Sequence, residues 1–194
     1  MNKYIAELLG TFGLTLAITL SLNSAFAVST PVIAALTLGL FVYTIGPISG
    51  THINPAVTPG LLSIKKIGLQ DTVGYIISQF VGAGLALYLS NLFITNPLSI
   101  TVLNTGKVGL FEFIGMFFFT FGIAAVVTGK TPASLSGFIV GASLLLGISF
   151  ANFGSNGILN PAVAFGIGSF SLMYVIGPIL GSIAAMQAFK FLSK

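Results

Sequence analysis

The sequence predicts an all-α membrane protein, with six transmembrane helices and two re-entrant half-helices arranged as an inverted-topology repeat. Hydrophobic residues make up 55% of the 194 residues, charged residues only 5%, and the mean hydropathy is +1.07, as in a polytopic membrane protein. The tetrapeptide of residues 54–57, Asn-Pro-Ala-Val, returns at residues 160–163. The lysines fall almost entirely on one side of the predicted spans. These three observations predict the fold.

The two tetrapeptides predict two helix starts, because Asn is a preferred N-cap and Pro suits the first helical position. The apolar stretches that follow, 54–63 and 160–170, are each about ten residues long, roughly 15 Å of helix, or half of a bilayer core of about 30 Å. Half-helices entering from opposite faces would meet near the midplane, where their N-termini repel cations. Irregular backbone at that depth is tolerated inside protein or along a cavity, which favours a channel.

The first half contains predicted spans over 4–24, 32–48 and 71–93. The first span could instead be a signal peptide, with Ala25-Phe26-Ala27 as the cleavage site. Its pattern Glu-x-x-Gly-x-Phe, residues 7–12, returns in the middle of the chain, where no signal peptide could lie. The pattern therefore favours a retained helix.

The second half repeats this order, with predicted spans over 108–128, 133–150 and 171–191. The repeats cover about 1–93 and 108–194, and residues 94–107 connect them within a single channel domain, 1–194. Because each half has three spans, an odd number, the halves must be inverted relative to each other.

The distribution of lysine predicts the orientation. With both termini inside, only Lys107 lies outside, which satisfies the positive-inside rule and predicts cytoplasmic N- and C-termini. Scattered lysines are typical of loop anchors, so no nucleic-acid partner is expected. The lysines predicted to lie inside are Lys3, Lys65, Lys66, Lys130, Lys190 and Lys194.

Few residues are suited to chemistry. The chain has no cysteine and no recognisable set of nucleophile, base and acid, phosphate loop or metal cluster, so neither an enzyme nor a cofactor or metal site is expected. Glu7 and Glu112 are the acids inside predicted spans; they could relay protons or hold backbone N–H groups of the half-helix loops, and their symmetric placement favours the second role. His52 could be a pH sensor, a metal ligand or a loop-packing residue, and the last is favoured.

Residues 49–58, Ser-Gly-Thr-His-Ile-Asn-Pro-Ala-Val-Thr, resemble the first signature loop of the aquaporin and glycerol-facilitator, or major intrinsic protein, family. Residues 160–162, the two Glu-x-x-Gly-x-Phe copies and the neighbourhoods of Gln79 and Pro178 resemble its other landmarks. The resemblance implies a homotetramer in the cell membrane, with a pore for water or small neutral solutes in each subunit.

The resemblance also implies roles for the signature residues Asn54, Pro55, Ala56, Asn160, Pro161 and Ala162. The two Asn amides would donate hydrogen bonds to a passing solute and keep it from relaying protons. Two other function classes remain open. A secondary transporter also uses inverted repeats but would need paired charges or an ion site within the membrane, and a non-conducting structural membrane protein is the other alternative.

The selectivity filter departs from the family pattern. Counting from the signature Asn residues places the filter on Ala34, Ile148, Gly157 and Val163, the last where the family has Arg. These side chains offer no donor and no ring, so an apolar, wider constriction is expected, with glycerol, urea, ammonia or gas as candidate solutes beside water. Two residues, Ala164 and Tyr174, instead favour the water type. Alternatively, another side chain, or one of the nearby aromatic residues Phe150, Phe153 and Phe165, narrows the pore.

Overall fold

The computed structural model describes residues 1–23, 27–95, 100–102 and 104–194. Within these ranges the chain is helical, and residues 25–26 of the alternative cleavage site and Asn96-Pro97 of the connecting loop lie outside the described residues. The helices are α1 (Asn2–Asn23), α2 (Thr30–Thr44), α3 (Gly46–Ser49), α4 (Val57–Ser63), α5 (Leu69–Phe93), α6 (Gly106–Val127), α7 (Ser136–Ala151), α8 (Pro161–Gly166) and α9 (Met173–Leu192).

Five helical segments in the described part of the chain are long and apolar enough to cross a membrane. They are α1, α5, α6, α9 and the segment Ala133–Ala151, in which a 3-10 turn leads into α7. The remaining predicted span, 32–48, consists of two helices, the 15 residues of α2 and the four residues of α3. Pro47 explains the break, because it has no N–H to donate to the carbonyl of Tyr43. The chain is therefore a multi-pass membrane protein.

The helices pack as two similar sets. Helix α1 packs against α5 and α2, α6 packs in the same way against α9 and α7, and α2 meets α7 between the two sets. Glycine allows the closest approaches. A Cβ at Gly82 of α5 would collide with the carbonyl oxygen of Leu8, and a Cβ at Gly181 of α9 with that of Phe113. The same kind of contact thus joins the first and last spans of each half.

Polar contacts show which helix ends share one side of the bundle. Lys3 Nζ lies 2.7 Å from Asp71 Oδ2, which joins the starts of α1 and α5. Gln187 Nε2 donates to the carbonyl of Ser63 at 2.7 Å, which joins the end of α9 to the end of α4. The described N-terminal and C-terminal ends therefore lie on the same side. Helix α6 begins at Gly106, two residues before the predicted repeat boundary.

Candidate functional site

The two signature asparagines stand where the half-helices begin. The side-chain oxygen of Asn160 caps α8 by accepting hydrogen bonds from the N–H groups of Ala162 (3.1 Å) and Val163 (3.3 Å). Asn54 Oδ1 accepts from Ala56 N at 2.8 Å, although regular helix in α4 starts only at Val57. Each amide oxygen is thus fixed toward its own helix, and each amide nitrogen points away from it.

Both half-helices are shorter than the predicted 54–63 and 160–170. Helix α4 has seven residues and α8 has six, about 10 Å each. Each is followed by a residue with left-handed backbone, Lys65 (φ 63°) and Gly168 (φ 74°). The next N–H then bonds back five residues, from Lys66 to Leu61 O (2.9 Å) and from Ser169 to Ala164 O (2.8 Å). This Schellman geometry ends the helix.

The residue before each signature Asn is held in an unusual backbone conformation. Ile53 has φ 36° and Leu159 has φ 55°, and neither is a residue type that readily adopts positive φ. This backbone conformation directs the carbonyls of Ile53 and Leu159 toward the opposite half of the site. Strained residues of this kind persist only where surrounding contacts fix them.

Glu7 and Glu112 supply those contacts. Glu7 accepts from the backbone N–H of His52 (2.9 Å) and Ile53 (2.6 Å). Glu112 accepts in the same way from Ile158 (3.0 Å) and Leu159 (2.7 Å). Both carboxylates are fully buried, and each also accepts from a serine hydroxyl of its loop at 2.7 Å. This geometry supports the loop-holding role, which stays a prediction.

The two halves of the site are joined by reciprocal hydrogen bonds. Asn54 Nδ2 donates to the carbonyl of Leu159 at 2.9 Å, and Asn160 Nδ2 donates to the carbonyl of Ile53 at 2.9 Å. An amide nitrogen carries two hydrogens, so each Asn keeps a second N–H. Both Asn residues line the same cavity. That second N–H is available to a molecule in the cavity.

The cavity has a volume of about 270 Å³ and reaches from the two asparagines toward the side where α1 ends and α2 begins. All four positions counted as a filter lie on its wall: Ala34, Ile148, Gly157 and Val163. Among the described residues the wall contains no lysine, aspartate or glutamate. The four positions counted from the signature asparagines therefore line one cavity, and the wall there is largely aliphatic.

Several residues of this wall are not among those predicted from the sequence, and Phe119, Asn152 and Asn156 are three of them. Phe119 had a signal: it stands in α6 at the place that Leu14, another wall residue, occupies in α1, counted from the two glutamates. Asn152 and Asn156 lie between the counted filter positions 148 and 157. Counting from the signature residues selects fixed positions, so it does not detect a side chain that lies over a neighbouring residue.

The three aromatic residues considered as alternatives lie elsewhere. Phe150 packs on Phe118 with ring centroids 4.9 Å apart, and Phe153 is 83% exposed. Phe165 packs on Phe80 at 6.1 Å. None of the three lines the cavity in the part of the chain that the structure describes.

His52 and Tyr174 have packing roles in the two loops. The His52 ring meets the Tyr75 ring edge-on at 4.9 Å, and its Nδ1 lies 3.2 Å from Thr58 Oγ1. The Tyr174 hydroxyl accepts from Asn156 N at 3.2 Å, and the Tyr174 side chain packs with that of Ala164. Ala164 and Tyr174, the two residues that favour the water type, therefore lie in the packing behind the cavity wall.

Comparison with known proteins identifies the family. The family model for major intrinsic proteins matches residues 1–189. A probable aquaporin, AqpM, from Archaeoglobus fulgidus is 34% identical over 82% of this chain and 74% of its own length. The glycerol uptake facilitator protein-like 6 of Lactiplantibacillus plantarum is 33% identical over 95% of each chain. The X-ray structure of the aquaglyceroporin from Plasmodium falciparum matches with a TM-score of 0.67 and 21% identity, over 97% of this chain and 94% of the other.

These findings confirm the predicted resemblance and the predicted fold class, six spans with two half-helices in inverted repeats. They also confirm the predicted function class, a channel for water and small neutral solutes, over a secondary transporter. Relatives of this family are channels rather than enzymes. The chain belongs to the major intrinsic protein family.

Proposed function

We propose that this channel admits small neutral solutes besides water, such as glycerol, urea or ammonia, along a path past Asn54 and Asn160. The observation that carries the proposal is the wall of the cavity, where Ala34, Ile148, Gly157 and Val163 form a largely aliphatic surface that includes no lysine or arginine side chain. Relatives named both for aquaporin and for glycerol uptake support this solute class.

An aliphatic wall acts differently on water and on larger solutes. Water gives up hydrogen bonds there and receives little in return, whereas the CH groups of glycerol gain apolar contact. At the inner end of the cavity the second N–H groups of Asn54 and Asn160 offer donors to any oxygen. Donors and helix N-termini together disfavour cations, so neutral solutes are the class expected to pass.

The solute class is tested with purified protein in lipid vesicles, by light scattering in gradients of glycerol, urea and ammonia and by water efflux. The parent is expected to pass glycerol and urea. Val163→Arg would place a long cation in the cavity and lower both permeabilities more than that of water. Val163→Met, similar in reach but neutral, is the control for bulk. A parent that passes water and excludes glycerol and urea, with selectivity unchanged in Val163→Arg, would overturn the proposal.

The same vesicles test passive transport. Flux is expected to rise linearly with the solute gradient and to be unaffected by Na⁺ or proton gradients. Saturation together with acceleration by an imposed ion gradient would instead indicate a secondary transporter.

The proposed setting is the cell membrane, with residues 1–194 acting as one channel domain whose inverted repeats cover 1–93 and 108–194. The lysine distribution supports cytoplasmic N- and C-termini. The proposed assembly is a homotetramer with one pore in each subunit. Exposed apolar side chains on α2 and α7, such as Leu40 and Phe138, offer surface for lipid or for a neighbouring subunit.

A further inference from the structure

We propose that Asn152 supplies the polar side of the selectivity filter and determines the preference for neutral solutes rich in hydrogen-bonding groups, such as glycerol and urea. The inference deepens the proposed function and rests on it. Asn152 follows α7 directly, and its N–H donates to the carbonyl of Ile148 at 2.9 Å. Asn152 therefore stands one turn beyond a filter position, on the same side of the helix.

The Asn152 side chain lies over Gly157, another filter position. A Cβ added at Gly157 would collide with Asn152 Oδ1 and lie 3.0 Å from Asn152 Cγ. Gly157 also has φ 62°, a conformation that glycine adopts without strain. The space that a side chain at position 157 would fill thus holds the amide of Asn152. The filter has a polar group, supplied by a residue outside the four counted positions.

The Asn152 amide is also free to bind a solute. Asn152 is exposed and lines the cavity, and its side chain has no hydrogen-bond partner in residues 1–23, 27–95, 100–102 and 104–194. Two other polar side chains of the wall are engaged: Asn156 Nδ2 donates to Thr101 O (3.1 Å) and Ser169 Oγ (3.2 Å), and the Thr30 hydroxyl pairs with Ser21 at 2.9 Å. Asn152 therefore offers both donors and an acceptor to the cavity.

The repeat shows that this amide is not needed to build the fold. Counted from the signature asparagines, the residue of the first half that corresponds to Asn152 is Gly46. The residue that corresponds to Gly157 is Thr51, which has a side chain and the same positive φ (52°). The first half folds into the same kind of loop without an amide at this position. The Asn152 amide and the space over Gly157 that it fills are therefore features of the second half.

The test compares Asn152→Leu with the parent in vesicles, by the permeabilities to glycerol, urea, ammonia and water. Asn and Leu have similar size, so the change removes the hydrogen bonds and keeps the bulk. Loss of one net hydrogen bond predicts a fall of about threefold to tenfold in glycerol and urea permeability. Ammonia, which is smaller and has fewer groups to satisfy, should change less. Asn152→Gln, which keeps an amide, should recover part of the glycerol and urea permeability.

Phe153→Leu is the matched control, because it changes the adjacent, exposed side chain outside the cavity and should leave all four permeabilities as they are. An equal fall for all solutes in Asn152→Leu, or no change, would overturn the role of Asn152. A parent that excludes glycerol and urea would overturn the proposed function instead. The role of Asn152 would then be tested by the permeability to water. A lower water permeability in Asn152→Leu supports a filter role, and an unchanged water permeability overturns it.

Discussion

Glu7 and Glu112 hold the backbone of the two signature loops, and neither lines the cavity. Each buried carboxylate accepts two backbone N–H groups of a loop whose next residue is a signature asparagine. The carboxylate thereby holds a backbone turn that the sequence alone disfavours, the positive φ of Ile53 or Leu159. The position of each asparagine amide therefore depends on a glutamate in a neighbouring helix.

Glu112→Gln is expected to destabilise the protein. The amide replaces one acceptor oxygen by a donor nitrogen, so at least one buried backbone N–H at Ile158 or Leu159 loses its partner, at a cost of about 1–3 kcal/mol. The thermal unfolding temperature of purified protein in detergent should fall. Asp71→Asn, on the bundle surface, is the control and should have a small effect. A Glu112→Gln protein that is as stable as the parent but leaks fewer protons would instead indicate a relay.

Asn54→Ala and Asn160→Ala are each expected to lower solute flux. Asn160→Ala removes the cap of α8, worth about 1 kcal/mol, and Asn54→Ala removes the hydrogen bond from Ala56 N. Each also removes the bond to the carbonyl of the opposite loop and the remaining donor. The measurement is flux together with proton leak in vesicles. Asn91→Ala, an exposed position on α5, is the matched control. A double mutant of the two signature residues that assembles, conducts and excludes protons as the parent does would contradict the assigned role.

At the scale of the element, glycine determines how closely the spans of one half approach. The Gly82 Cα faces the Leu8 carbonyl and the Phe12 N–H of α1, and both are backbone groups that cannot turn aside. An added methyl group would have to push the two helices apart. The contact between α1 and α5 therefore tolerates no larger residue at this position.

Gly82→Ala is expected to lower the free energy of unfolding by about 1–3 kcal/mol, the usual range for overpacking. Thermal unfolding in detergent measures the change. Gly106→Ala is the matched control: nothing lies within 4 Å of the added Cβ and α6 begins there, so stability should hold or rise slightly. Equal effects of the two substitutions would show that helix propensity, rather than the approach of α1 and α5, explains the loss.

Individual residues show which elements can be predicted from sequence. The start of α8 follows from local chemistry, an Asn cap and a Pro, and the spans follow from their apolar length. Helix α4 begins at Val57, three residues after its signature Asn. The ends of the half-helices do not follow from local chemistry, because Lys65 adopts a left-handed conformation that its residue type rarely takes and that the surrounding fold imposes. The break at Pro47 can be predicted from the sequence, because proline removes one helical hydrogen bond.

The candidate site divides in the same way. Spacing from the signature asparagines finds four residues that line the cavity, because an insertion-free stretch of chain keeps its register. It cannot find Asn152, since contact between residues 152 and 157 depends on how the loop closes over itself. Phe119 lies far from the filter in sequence and reaches the cavity only through helix packing.

At the scale of the whole molecule, orientation is tested with single cysteines, which the chain allows because it has none of its own. Val28→Cys and Val102→Cys, exposed on the side away from the described termini, should react with a membrane-impermeant thiol reagent added outside intact cells. Lys66→Cys and Lys130→Cys should react only after the cells are opened. Outside labelling at Lys66→Cys or Lys130→Cys would contradict cytoplasmic termini.

The reciprocal bonds between the two loops bear on how the protein is made. During synthesis the first half leaves the ribosome before Leu159 exists, so Asn54 has no carbonyl across the site to bind. Asn160, when it arrives, needs the carbonyl of Ile53 already turned toward it. Neither loop reaches its final state alone, so insertion of the spans precedes completion of the pore. Until the second loop arrives, the amide of Asn54 lacks its partner across the site.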